Sequence, residues 1–152
     1  MKKLKILMLL YLVFLVNVAS MCSNDDNPSS SVNQTMVINT VSSGTWRITL
    51  YNDSGTIKTN QFTGYNFTFG PSNVLTATNG TQTYTGVWSV TDSNGNDDSM
   101  DDLDFNIAFT APANFLELTY DWDIQSRTDT KIELIDVSGG NGGTDYLTFE
   151  KN

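Results

Sequence analysis

Residues 36–152 are expected to form an all-β domain, an antiparallel up-and-down barrel of about eight or nine strands, with a β-sandwich as the alternative. Apolar side chains recur at every second position in several segments, as half-buried antiparallel strands require. Short clusters of Asn, Asp, Ser, Gly and Pro separate these segments at even spacing. Only Ala111–Leu118 is expected to make a helical turn.

Taken in order, Trp46, Ile48 and Leu50 share one face of the first strand, with Arg47 and Thr49 on the other. Asn52-Asp53-Ser54-Gly55 is an apt turn. Tyr65, Phe67 and Phe69 alternate with Asn66 and Thr68, and Gly70-Pro71-Ser72-Asn73 then turns the chain. Asn79-Gly80 precedes the run Thr81–Thr91. Leu103, Phe105, Ile107 and Phe109 alternate with Asp104 and Asn106, the clearest strand of the set. Tyr120, Trp122 and Ile124 alternate with Asp121 and Asp123. Near the end Leu147 and Phe149 alternate with Asp145, Thr148 and Glu150. Residues 138–143 are glycine-rich, but no helix pattern follows and no lysine sits near, so a hairpin loop is expected rather than a phosphate cradle.

Composition excludes several kinds of chemistry. The chain has 152 residues, no histidine and one cysteine. That length fits one domain held together by its core, since a single cysteine makes no intrachain disulfide. Ser-His-Asp and Cys-His catalysis need an imidazole, as do most zinc sites. A formal net charge of −9 does not suit a nucleic-acid backbone, which is bound through lysine and arginine.

The first residues read as an export signal. Lys2, Lys3 and Lys5 precede an unbroken apolar run from Ile6 to Val16, which suits a secretory segment and is short for a membrane span. Val18-Ala19-Ser20-Met21-Cys22 then leads small residues to a cysteine. The arrangement resembles a lipoprotein signal covering residues 1–21, in which Cys22 becomes the lipidated first residue and carries palmitate-type acyl chains. Met21 stands where such signals have Gly, Ala or Ser. The alternative is ordinary cleavage after Ser20, leaving Cys22 a free thiol. Removal of residues 1–21 takes away three lysines and leaves all 17 acidic side chains.

Residues 22–35 are expected to be the lipidated cysteine and a flexible, acidic tether. Asp25 and Asp26 resemble the acidic export signal of Bacteroidetes surface lipoproteins, which implies an outer-membrane, cell-surface location; a merely solvated tether is the alternative.

A further resemblance concerns the domain itself. Gly44-Thr45-Trp46 opens the first strand, and Gly86-Val87-Trp88 repeats the pattern later. With the Asn66–Phe69 strand and the closing Gly143-Thr144-Asp145-Tyr146-Leu147-Thr148-Phe149-Glu150-Lys151, the region resembles small lipocalin-like lipoproteins of Bacteroidetes. The resemblance implies a β-barrel whose first tryptophan plugs one end, a glycine that lets the chain pass close beside it, and a basic residue of the last strand against that tryptophan. Lys151 is the basic residue available there. The family's Thr-Asp-Tyr precedes its final strands, whereas Thr144-Asp145-Tyr146 stands almost at the C-terminus. The resemblance therefore implies a reduced barrel rather than a deep ligand cup.

Candidate sites are few. Trp46, Trp88, Trp122, Tyr65 and Tyr84 are candidates for a ligand-binding aromatic surface, although their alternation with aliphatic residues suits a core equally. Between Asp92 and Asp104 lie six carboxylates, and Asp92, Asn94, Asn96 and Asp98 could supply oxygen ligands to calcium. The glycine and closing glutamate of a calcium-binding loop are misplaced or missing, so a solvated hairpin loop and no metal are expected. Asp98-Ser99-Met100 resembles a Bacteroidetes O-glycosylation sequon at Ser99. No catalytic residue is expected: Asp121 and Asp123 should both face solvent, where nothing separates their pKa values. No cofactor and no enzymatic activity are expected.

The leading expectation is a lipid-anchored, non-enzymatic binding protein for a small apolar molecule or glycan held in the barrel mouth. The alternative is a protein-interaction module with a filled core, an accessory subunit or an inhibitor of a secreted enzyme. An acidic surface suits a basic protein partner.

Overall fold

The computed structural model describes residues 29–92, 103–138 and 142–152. The elements are α1 (Ser29–Val41), β1 (Trp46–Asp53), β2 (Thr56–Ile57), β3 (Asn66–Phe69), β4 (Val74–Thr78), β5 (Thr83–Asp92), β6 (Leu103–Phe109), α2 (Ala113–Leu116), β7 (Tyr120–Arg127), β8 (Lys131–Val137) and β9 (Thr144–Lys151). Short 3-10 turns at Thr59–Phe62 and Pro71–Asn73 precede β3 and β4. Successive strands from β3 to β9 pair antiparallel with their neighbours, and β9 returns to β1. The result is a closed antiparallel barrel of eight strands with β2 added to β1, as the alternation and even turn spacing imply.

Closure is unequal on the two sides of β1. On one side it pairs with β9 from Trp46↔Lys151 to Asn52↔Tyr146. On the other it meets β3 through Trp46↔Phe67 and then diverges, and β2 occupies the freed edge through Asn52↔Ile57 and Asp53↔Thr56. Ser54 and Gly55 both have positive φ, 47° and 91°, the backbone that a two-residue hairpin needs to match strand twist. The seam is stitched further by Lys58 N–H donating to Tyr51 O at 2.9 Å and by Tyr51 N–H donating to Thr59 Oγ1 at 2.8 Å.

Two bulges change the facing of side chains. One lies between Ile48 and Leu50 in β1, the other between Ile124 and Ser126 in β7. Leu50 was expected beside Trp46 and Ile48 on the inner face. The extra residue turns it half outward, and Tyr51 takes the inner position, 1% exposed. Thr148 departs similarly: expected outside, it is buried together with Asp145.

The interior is filled by large side chains. Trp46, Tyr51, Phe67, Phe69, Phe105, Trp122 and Phe149 are among those less than 2% exposed. Phe69 of β3 makes edge-to-face contacts with Trp88, Phe105 and Phe149, each at 5.4 Å between centroids. Neither β6 nor β9 is a sheet neighbour of β3, so these rings meet across the barrel axis. Burial of each such ring contributes up to about 3 kcal/mol relative to exposure.

Helices close both ends. At one end α1 crosses the opening, with Val37 and Val41 buried against the barrel. Gln34 Nε2 donates to Val90 O on β5 at 2.7 Å, and Arg127 Nη1 on β7 donates to Thr40 Oγ1 at 2.8 Å. Residues 29–35, expected as part of a flexible tether, belong to this helix. The helix has no amphipathic stripe to betray it: Val37, Val41 and the half-buried Ile38 make its apolar contact, and tertiary packing outweighs the modest helix propensity of Ser, Asn and Thr. At the other end α2 inserts Phe115 among Phe62, Tyr65, Tyr84 and Phe109, at 5.3, 5.1, 4.9 and 5.0 Å between centroids.

Candidate functional site

The five aromatic candidates divide between core and barrel end. Trp46 lies fully buried at the α1 end, its indole N–H donating to Val41 O at 2.8 Å. Lys151 Nζ stands 5.4 Å from its ring centroid, a cation–π geometry. Gly44 has φ of +85°, and a Cβ there would lie 3.1 Å from Lys151 Cε. Glycine is thus needed where the chain passes the tryptophan and its lysine. Trp88 donates to Gly70 O at 3.0 Å and Trp122 to Leu118 O at 3.1 Å. At Gly86 a Cβ would stand 2.5 Å from Ala108 O and 2.8 Å from Phe109 Cδ1, so the second Gly-x-Trp marks a tightly packed point of the β5–β6 ladder, where Gly86 is paired with Phe109. All three indole N–H groups are satisfied by main-chain carbonyls, as core tryptophans require. Tyr65 donates to Gln82 Oε1 at 2.9 Å and lies against the half-buried Tyr84 at 5.9 Å. Burial and the neighbouring Tyr84 push the Tyr65 hydroxyl above its ordinary value.

Polar groups converge instead at the α2 end. The inward rows of β8 and β9, Ile132-Leu134 and Leu147-Phe149, are continued there by Asp136 and Asp145, which face each other in register. β1 ends in Asp53 and β7 begins with Tyr120. Buried Asp145 accepts from Ser54 N–H at 2.7 Å and from Ser54 Oγ at 3.0 Å. Lys58 Nζ bridges Asp53 Oδ2 at 2.5 Å and Glu117 Oε2 at 3.1 Å. Those hydrogen bonds raise the lysine's pKa and fix it as a cation. Tyr51 donates to Glu117 O at 2.8 Å. Burial first, then Asp53, Glu117 and Asp145, pushes its hydroxyl far above the ordinary tyrosine value. Tyr120 is raised by burial and then by Asp145, Asp136, Asp53 and Glu117. The arrangement holds charge in place and keeps both phenols protonated.

A second feature lies on the outer face. A cleft of about 460 Å³ crosses β5, β6 and β7. Ser89, Asn106 and Asp121 stand in register across these strands, next to Val87 and Ala108 in register on β5 and β6. Asn106 Nδ2 donates to Thr91 Oγ1 at 2.9 Å. Asp104 is raised by burial and by Asp121 and Asp92, so this face is acidic as well.

The remaining sequence candidates fall elsewhere. Cys22, Asn94, Asn96, Asp98 and Ser99 lie outside the described residues, and Asp92 ends β5. Among the described residues, no group of three or more carboxylate or thiol side chains is placed to hold a metal ion. Among them too, no helix is long and apolar enough to cross a membrane. Sequence reasoning missed the gathering of Tyr51, Asp53, Lys58, Glu117, Tyr120, Asp136 and Asp145. The available signal was a carboxylate at the end of an inward-facing apolar row, as with Asp136 and Asp145.

No family model matches the chain. No curated protein matches it. Among solved structures, it is similar to a DUF4847 family protein from Bacteroides vulgatus ATCC 8482, with a TM-score of 0.48 at 18% sequence identity. That match covers 76% of this chain and 97% of the other.

Proposed function

We propose that this is a lipid-anchored, non-enzymatic lipoprotein of an outer membrane whose filled barrel works through its surface as a protein-interaction module. The observation that carries the choice is the packing of Phe69 against Phe105 and Phe149 across the axis, which leaves the inward aromatics occupied with one another. A ligand cup in a barrel needs inward side chains that stop short of the axis. The anchor rests on Lys2, Lys3 and Lys5, the Ile6–Val16 run and Cys22, and the location on that anchor followed by Asp25 and Asp26.

A second reading, binding of a glycan, is favoured by the cleft over β5–β7, where a polar row adjoins an apolar one. One preparation tests the anchor and the filled core. Full-length protein purified from native membranes should give an intact mass with acyl chains on Cys22, and its organic-solvent extract should hold no stoichiometric small molecule beyond membrane lipid. A chain beginning at Met21 would sink the anchor. A stoichiometric extracted ligand would sink the filled-core reading.

A further inference from the structure

The outer-face cleft lies where the sheet is staggered. The β4–β5 ladder stops at Val74↔Val87, and the β6–β7 ladder stops at Ile107↔Tyr120. Two rows of side chains cross this region side by side. One is apolar, Val74, Val87 and Ala108, in register from β4 to β6, with Val74 40% and Val87 56% exposed. The other is polar, Ser89, Asn106 and Asp121, in register from β5 to β7. Both rows point outward, since they alternate along their strands with the buried Leu75, Trp88, Ile107 and Trp122. Ser89 and Ala108 are diagonal neighbours with the smallest side chains of the two rows, so the face is lowest between them.

The hydrogen-bonding capacity left in the cleft is one-sided. Asn73 Nδ2 donates to Trp88 O at 2.8 Å. Asn106 Nδ2 donates to Thr91 Oγ1 at 2.9 Å and to Asp104 O at 3.4 Å. Both amides are thus anchored through nitrogen, and among the described residues no group donates to their carbonyl oxygens. Thr119 Oγ1 is occupied by the Phe109 main chain, accepting from its N–H at 3.0 Å and donating to its O at 3.3 Å. Tyr120 carries its ring against Trp122 rather than over this face. Asp121 accepts only, so free acceptors outnumber free donors. Among the described residues, no lysine or arginine lines the cleft. Asp104 and Asp123, in register on β6 and β7, add negative charge one row further along.

We infer that this cleft receives an arginine side chain of a protein partner, its guanidinium on Asp121, Asn106 and Asn73 and its aliphatic stem along Val87 and Ala108. The inference rests on the interaction-module reading and adds to it a place and a partner residue. A guanidinium carries donors only, in a planar fork that meets carboxylate and carbonyl oxygens together, and it stays charged. Its stem takes apolar surface, which the neighbouring row supplies. A saccharide matches less well, because each hydroxyl brings an acceptor that needs a donor in turn. Charge complementarity favours the same choice, since the face is acidic and an arriving cation relieves the crowding of Asp104 and Asp121.

The test is an amide chemical-shift titration of the full-length chain with three probes at millimolar concentration. They are a capped valine–arginine–valine peptide, the same peptide with citrulline for arginine, and maltotriose. Citrulline keeps the shape of the side chain but removes its charge and turns one donor end into an acceptor. The arginine peptide should shift amides at 73–74, 87–89, 106–108 and 119–121, and the other two probes should shift none of them. Asp121→Asn, at an exposed position, should weaken arginine binding about tenfold and reduce its salt dependence. Val87→Ser, also exposed, should weaken it with the salt dependence kept. Equal shifts from the citrulline peptide would overturn the inference. Cleft shifts from maltotriose would do so by giving the cleft to a glycan. Arginine-peptide shifts confined to another face would remove the cleft as the site while the interaction-module reading stands, and so would no shift at all in a protein whose solvent extract is clean. A stoichiometric extracted ligand would remove the filled-core reading and the inference with it.

Discussion

Tyr51 shows how one side chain joins core and rim. Its ring packs edge-on against Phe62 at 5.7 Å, and its hydroxyl reaches Glu117 O. Because its folded-state pKa is raised, it contributes stability that is fully present below the unfolded tyrosine value, near 10, and is lost as pH rises toward the folded value. Tyr51→Phe should therefore cost about 1 kcal/mol at neutral pH, from the lost hydrogen bond, and should flatten the decline in stability above about pH 10. Urea denaturation across that range reads both effects. A parallel decline in the two proteins would show that Tyr51 is not the titrating group. At this scale much was legible in the sequence. Trp46, Phe67, Phe69, Phe105, Trp122 and Phe149 lie inside where alternation put them. Tyr51 was not legible, because the bulge after Ile48 reverses the parity of the strand and period-two reasoning has no term for an inserted residue.

Among the elements, α1 departs most from expectation. It covers Trp46 with a backbone carbonyl and places Val37 and Val41 over the open end. Burial of those two valines, with part of Ile38, is worth about 3–5 kcal/mol. A chain lacking residues 1–41 should lose stability of that order, seen as a thermal midpoint lower by ten degrees or more, roughly, for a domain this size. An unchanged midpoint would mean that the helix only rests on the barrel. Strand-type and helix-type periodicity both miss it because its apolar contacts come from Val37, Val41 and the half-buried Ile38 alone, too few to make a period. The strands were legible for the opposite reason, since Leu103–Phe109 repeats its alternation through four inward residues. Even the turn at Asn79-Gly80 forms where side-chain chemistry put it, Asn79 Oδ1 accepting from the amides of Thr81 and Gln82 at 3.0 and 2.8 Å.

For the molecule as a whole, the fold class was legible and the place of its polar surface was not. Alternation reports which side chains face inward, but it does not say which strand ends gather at one rim. Asp53, Glu117, Asp136 and Asp145 come from four separate segments, and only the order and stagger of the strands unite them. The lysine at the other end was not legible: the resemblance offered Lys151 only as a poor match, yet the structure lays it over Trp46. Removing Thr144–Asn152 should abolish cooperative unfolding, because β9 is flanked by both β8 and β1. A sharp melting transition in the shortened chain would count against an all-or-none barrel.

The pairing of β1 with β9 also has a temporal meaning. The first strand to leave a ribosome or a translocation pore finds its principal partner in the last, with Arg47 opposite Glu150. Hairpins from β3 to β8 can assemble as they emerge, but the cylinder cannot shut early. Until the final strand is delivered the molecule is an open ribbon with two adhesive edges, and its solubility during that interval falls to the carboxylates along the ribbon's outer face.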